Sequence, residues 1–184
     1  MKTAHILLAS LCAALACSCS SNSVDMPSGS SKGYTSARFV SSIATDSTDP
    51  ESPTASASKM VEEAISAEFA KQGIKVGDPD ADLIIAFVLI RQGSSATSMD
   101  VAHFGSGRDA EAILDEAHQK GVIDKESVDS LETGAVVIDL LDVPTNKLVS
   151  RTFAKRALVD GITDSARRQM INSAVAEALA PFFN

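Results

Sequence analysis

The chain has 184 residues, 45% of them hydrophobic, and carries 16 Lys+Arg against 24 Asp+Glu for a net charge of −8. That acidity disfavours nucleic acid and anionic lipid headgroups as partners, and no basic cluster or stacking series of aromatics offsets it. The absence of Trp and the single Tyr argue against a carbohydrate platform of stacked aromatics.

The N-terminus predicts export. Lys2 is followed by an apolar or small stretch from Ile6 to Ala16 that ends in Ala14-Leu15-Ala16. It falls short of the roughly 20 apolar residues needed to span a bilayer. A charged start, apolar middle and small-residue exit make a secretory signal. All three cysteines, Cys12, Cys17 and Cys19, fall within or just after this leader. Exported domains use cysteine in pairs for disulfides, and here no cysteine follows Cys19. A cysteine directly after the small residues resembles a bacterial lipobox, whose thiol is acylated and becomes the mature N-terminus. Cys17 is the expected lipidation site, with Ala14 where such boxes usually carry Leu; Cys19, after the small Ser18, is the alternative. By the same resemblance Ser18, in place of an aspartate, directs the anchor to the outer membrane, facing the periplasm.

The expected organisation is a signal peptide over 1–16, a lipidated N-terminus and flexible tether over 17–33, and a single α/β domain over 34–184. Loss of 1–16 removes Lys2 and leaves a net charge of −9. The Ser-, Gly- and Asn-rich tether buries too little apolar area to offset chain entropy, and 16 such residues average roughly 22 Å end to end. The roughly 150 residues that remain suffice for a core.

Tyr34 to Ile43 reads as a strand, followed by a polar loop. A helix is predicted from about Thr54 to Gln72 on the stripe Ala57, Val61, Ala64, Ile65 and Phe69. Gly73 suits its left-handed end and Ile74 the hydrophobic contact that accompanies it. Leu83 to Ile90 is unbroken apolar sequence, which predicts a central strand covered on both faces; Gln92 to Ser98 ends it as a Gly/Ser loop. In the insert from about Phe104 to Glu132, Asp109 can cap a helix carrying Ile113, Leu114 and Ala117 and closed by Gly121. Asp124 can cap a shorter one with Val128 and Leu131. The insert covers the second sheet face or packs at its edge. Gly134 to Asp142 and Lys147 to Arg156 form a hairpin around the turn Val143-Pro144-Thr145-Asn146. The last helix, Thr163 to Phe182, carries Ala166, Met170, Ala174, Ala178 and Phe182 at four-residue steps, widened by Ile171, Val175 and Leu179. The expected fold is α+β: a mixed sheet of four or five strands, two main helices on one face, and the helical insert.

Four features together resemble an uncharacterised family of lipid-anchored bacterial envelope proteins, a domain of unknown function. They are the lipobox, the first helix with Gly73 and Ala81-Asp82-Leu83-Ile84-Ile85, the Gly134…Asp139…Thr145-Asn146-Lys147-Leu148-Val149 hairpin, and the closing amphipathic helix with Pro181-Phe182. The resemblance covers about residues 34–184. It carries over no catalytic residues.

Few residues carry the spacing of a chemical site. Asp78-Pro79-Asp80-Ala81-Asp82 has the opening spacing of a calcium loop, but Leu83 and Leu89 stand where that loop needs Gly and Glu; it reads as a turn. Gly105-Ser106-Gly107-Arg108 is neither a Walker loop nor a dinucleotide fingerprint. His103 and His118 lack a cysteine partner for zinc and read as surface residues. Asp139 lies in an apolar strand: inward, it needs a partner such as Arg151; outward, it marks the wet face, and the surface or sheet-edge reading is preferred.

These residues predict a non-enzymatic envelope lipoprotein that binds an envelope protein partner or aids assembly, with no cofactor, no metal and no nucleic acid. The alternatives are a binder of a lipid or other apolar ligand, which requires a cavity between helix and sheet, or a tethered hydrolase using His103, Ser106, Arg108 and Asp109. An enzyme requires a concave site where base and nucleophile converge, whereas exposed apolar groups on a sheet face favour a protein partner.

Overall fold

The computed structural model describes residues 33–41, 53–93, 96–105, 109–124 and 132–184. The expected signal peptide, Cys17, Cys19 and the tether before Gly33 lie outside the described residues, as do Ser106, Arg108, Val128 and Leu131.

The long apolar run becomes β3 (Leu83–Gln92), and it is central as expected. On one side β1 (Ser36–Phe39) pairs with it in parallel; on the other β5 (Thr133–Asp142) pairs antiparallel over its whole length. Outside these lie β2 (Lys75–Val76), parallel to β1, and β6 (Lys147–Ala157), antiparallel to β5, giving the order β2-β1-β3-β5-β6. The parallel β1–β3 pair requires a crossover, which α1 (Pro53–Lys71) supplies.

The described residues thus form six strands rather than four or five. The first strand is shorter than expected: β1 ends at Phe39, opposite Ile85. The outer half of β3 would be left with unpaired ladder groups, which are costly when buried. Thr97–Asp100, part of it read from sequence as a Gly/Ser loop, folds back as β4 and pairs with Leu89 to Gln92.

Strand alternation sorts β3 onto two faces. Leu83, Ile85 and Phe87 pack with α1 and α3 (Asp164–Phe183) in one core. Ala86, Val88 and Ile90 pack with Ile113 and Ala117 of α2 (Ala110–Gln119) in a second core. The insert therefore covers the second face. The mixed α+β expectation holds, with the two long helices together on one side.

Local chemistry sets the helix boundaries. Asp109 accepts from the Ala112 amide at 3.1 Å and Thr163 from the Ala166 amide at 3.2 Å, each a side-chain cap on an otherwise unpaired donor. Gly73 adopts φ +75°, and the Ile74 amide reaches back to the Phe69 carbonyl at 3.0 Å. Ile74 and Phe69 bury their side chains in the same core, completing the expected stop.

Phe69 lies 6.3 Å from Phe182 and 5.1 Å from Phe183, ring to ring, and Phe182 stacks on Tyr34 at 6.3 Å. Each fully buried Phe contributes up to about 3 kcal/mol. This cluster closes the C-terminal ends of α1 and α3. Their N-terminal ends are filled differently.

Candidate functional site

The expected stripe of α3 packs only along its second half. Ala174, Val175, Ala178, Leu179 and Phe182 are buried, whereas Met170 and Ile171 are half-exposed and Ala166 is exposed. Beneath that open half lies a cleft of about 490 Å³ between the helices and the sheet. Its floor is Leu89, Val136 and Ala154, from three adjacent strands. Ala57 and Val61 of α1 form one wall; Met170, Ile171 and Ala174 of α3 form the other. The cleft exists because small side chains, Ala57, Ala154 and Ala174, stand where the far end of the same layer has phenylalanines.

The β6–α3 connection makes the lip, with Leu158, Val159 and Ile162 lining it. Leu158 extends the β5–β6 pairing, its amide donating to the Glu132 carbonyl at 2.7 Å. Its side chain lies on Gly134: a Cβ added there would come within 2.8 Å of Leu158 Cδ2. The missing side chain of Gly134 is thus what admits Leu158 to the mouth. Val159 is 56% exposed, the most exposed large hydrophobic among the described residues.

Charged side chains ring the mouth. Arg91 donates to Glu132 through Nε at 2.9 Å, Arg156 to Glu177 at 2.6 Å and to Ser173 at 3.3 Å, and Arg167 to Asp164 at 3.3 Å. Asp100 accepts from the Ser58 hydroxyl at 2.7 Å and so ties β4 to α1. Asp160 also lines the opening.

The sequence-derived candidates lie elsewhere. Asp139 is fully buried, which corrects the preferred surface reading. α2 covers this face of β5, where Ala135 and Val137 pack with Ile113 and Ala117, so the carboxylate is held out of water and must be paired. Arg151, directly opposite on β6, grips it with two hydrogen bonds of 2.7 Å and sends its third nitrogen to Glu116 of α2 at 2.9 Å. The Asp139 hydrogen bonds lead the causes that raise the Arg151 pKa above its ordinary value, so it stays charged. This network lies on the α2 face, across the sheet from the cleft.

His103 is also not a surface residue. Its ring stacks on Phe87 at 4.6 Å and nearly parallel, and Nδ1 lies 3.0 Å from Glu62 of α1, with the side chain 17% exposed. His118 is half-buried, its Nδ1 3.3 Å from the Ile123 carbonyl. Neither histidine lines the cleft, and Asp109 is occupied as the α2 cap. The Asp78–Asp82 segment is the expected turn: Asp82 accepts from the backbone and hydroxyl groups of Thr35 and Ser36. No group of three or more metal-ligating side chains occurs among the described residues, and none of their helices is long and apolar enough to cross a membrane.

The sequence pattern did not single out Gly134, Leu158 or Ile162 as site residues. The available signal was the apolar content of residues 158–162, a connection that belongs to no periodic element.

The family model of a domain of unknown function, DUF4136, matches residues 27–182. No curated protein matches the chain. Among solved structures, the PelC dodecamer from Paraburkholderia phytofirmans is similar at 14% identity and TM-score 0.40, over 80% of this chain and 86% of that one. A single-residue variant of PelC gives 13% identity and TM-score 0.38, over 80% and 84% of the two chains. Protein XCC0632 from Xanthomonas campestris, of family DUF330, gives 15% identity and TM-score 0.32, over 82% and 79%.

Proposed function

This chain belongs to the DUF4136 family of domains of unknown function, and from its cleft we propose that it is a non-catalytic binder of single-chain amphiphiles, held at the bacterial outer membrane by a lipid on Cys17. The observation that carries the binding role is the 490 Å³ opening with half-exposed Leu89, Leu158, Ile162, Met170 and Ile171 around it. Small-molecule sites run from about 300 to 1,000 Å³ and are mostly apolar with a few polar groups at the edge. A protein-docking face calls for a contiguous apolar patch. Among the described residues the exposed large hydrophobics are Leu148 and Val159, on different parts of the molecule, and Val159 belongs to the cleft lip. This favours the apolar-ligand alternative over a flat protein interface. The anchor rests on the leader and on Cys17 following Ala14-Leu15-Ala16.

Met170→Trp supplies the test of binding, because the chain has no tryptophan of its own. Titration with N-phenyl-1-naphthylamine, a neutral apolar fluorophore, is expected to saturate and to quench that tryptophan by energy transfer. Ala57→Phe and Ile171→Phe, which fill the opening, should weaken binding at least tenfold. Unchanged binding by both filled variants, with folding intact by circular dichroism, rejects the cleft. For the anchor, a metabolic fatty-acid label should be absent from Cys17→Ser, and that protein should leave the membrane fraction; retained label rules out Cys17.

A further inference from the structure

Resting on the cleft reading above, we propose that the site discriminates by headgroup and prefers uncharged or zwitterionic single-chain amphiphiles to anionic ones. A site made for a carboxylate or phosphate presents arginine donors that await an anion. Here each guanidinium at the mouth already faces a carboxylate of this chain: Arg91 with Glu132, Arg156 with Glu177, Arg167 with Asp164. Two more carboxylates line the opening without a cation among the described residues. Asp100 is held by the Ser58 hydroxyl and the Ala102 amide, and Asp160 is exposed on the lip.

Three guanidinium groups and three carboxylates, Asp100, Glu132 and Asp160, line the opening. Glu177 and Asp164 engage two of those guanidinium groups from outside the lining, which leaves an excess of two acids around it. An entering anion must displace one of the protein's own acids from its arginine or sit near Asp160 unpaired. A glycerol hydroxyl avoids both costs, because it donates to a carboxylate and accepts from a guanidinium N–H left over from the ion pairs. A zwitterionic head brings its own countercharge. The chain's net charge of −8 adds a longer-range repulsion of anions. A unit charge about 6 Å away in water changes affinity roughly threefold, so an excess of two negative charges amounts to about tenfold.

The test holds the alkyl chain constant and varies the head. The full chain, loaded with N-phenyl-1-naphthylamine, is titrated at pH 8 and low salt with 1-dodecanoylglycerol, dodecylphosphocholine and dodecanoate, each below its micelle concentration. The glycerol ester and the phosphocholine are expected to displace the probe at about tenfold lower concentration than dodecanoate. Asp160→Asn should narrow the gap between dodecanoate and the glycerol ester about threefold, and 0.5 M salt should narrow it too. Dodecanoate displacing the probe as well as or better than the glycerol ester overturns headgroup selection while leaving the cleft reading standing. Displacement by none of the three overturns the cleft reading, and this inference with it.

Discussion

Arg151 encloses the fully buried carboxylate of Asp139 from the neighbouring strand, with Nε and one terminal nitrogen each 2.7 Å from a carboxylate oxygen. The remaining terminal nitrogen reaches Glu116 on α2, so one guanidinium joins β5, β6 and the helix that covers them. Removing one partner of a buried pair leaves an uncompensated charge and typically costs about 3–5 kcal/mol. Arg151→Ala is therefore expected to lower the urea unfolding free energy by about that much. Glu116→Gln, losing one half-exposed contact, should cost about 1 kcal/mol. The apolar pair Asp139→Leu with Arg151→Met should recover most of the loss; a double variant as unstable as Arg151→Ala argues against charge burial as the cause.

Gly134 and Leu158 predict a coupling at the cleft mouth. Gly134→Ala forces the Leu158 side chain away from its 2.8 Å approach, with a cost of about 1 kcal/mol because Leu158 is half-exposed and can swing. Leu158→Ala removes the obstacle. In a double-mutant cycle the two changes should be non-additive; strict additivity denies the contact.

His103 contributes through its ring face as well as through Nδ1. His103→Ala loses the stacking on Phe87 and the contact with Glu62, and should destabilise the domain by about 1–2 kcal/mol. His103→Phe keeps the stacking and should recover about half of that in thermal or urea unfolding. Equal losses in the two variants assign the whole effect to Glu62.

Tyr34 and Asp142 give opposite ends to the pH profile. The Tyr34 hydroxyl donates to Asp142 at 2.9 Å; burial first, and then that carboxylate, raise its pKa above 10. The folded state resists ionisation that the unfolded chain undergoes, so stability present below pH 10 should fall above it. The Thr145 side-chain hydrogen bond, the largest cause, holds Asp142 below the usual carboxylate range. Its contribution is present above pH 4 and lost as acid protonates it in the folded state. Tyr34→Phe should flatten the alkaline limb of unfolding free energy against pH, and Asp142→Asn the acid limb. An unchanged limb in either variant contradicts that assignment.

Periodicity and breakers carried most of the architecture. The apolar run from Leu83 is central, Gly73 and Gly121 end the first two helices, and Thr163 caps the third, because each follows from local backbone chemistry. Asp139 was ambiguous, since alternation assigns a residue to a face without saying whether that face is wet. Once α2 lies over β5, Asp139 sits in a dry layer, and Arg151 twelve residues later stands directly across from it. The cleft was less legible still. Met170 and Ile171 belong to the same apolar stripe as Val175 and Leu179, and nothing in their spacing distinguishes a filled contact from an empty one.

The sequence by itself determined the class of fold, the boundaries of the long helices, the acidic surface and the segment carrying its cysteines, since these depend on residues near one another or on sums over the chain. The tertiary structure decided where space is left between packed layers and which charge meets which. Those outcomes turn on volumes brought together from distant positions: alanines from α1, β6 and α3 converge at one end of the core and phenylalanines at the other. The open end became a cleft because packing density depends on the sum of facing side chains.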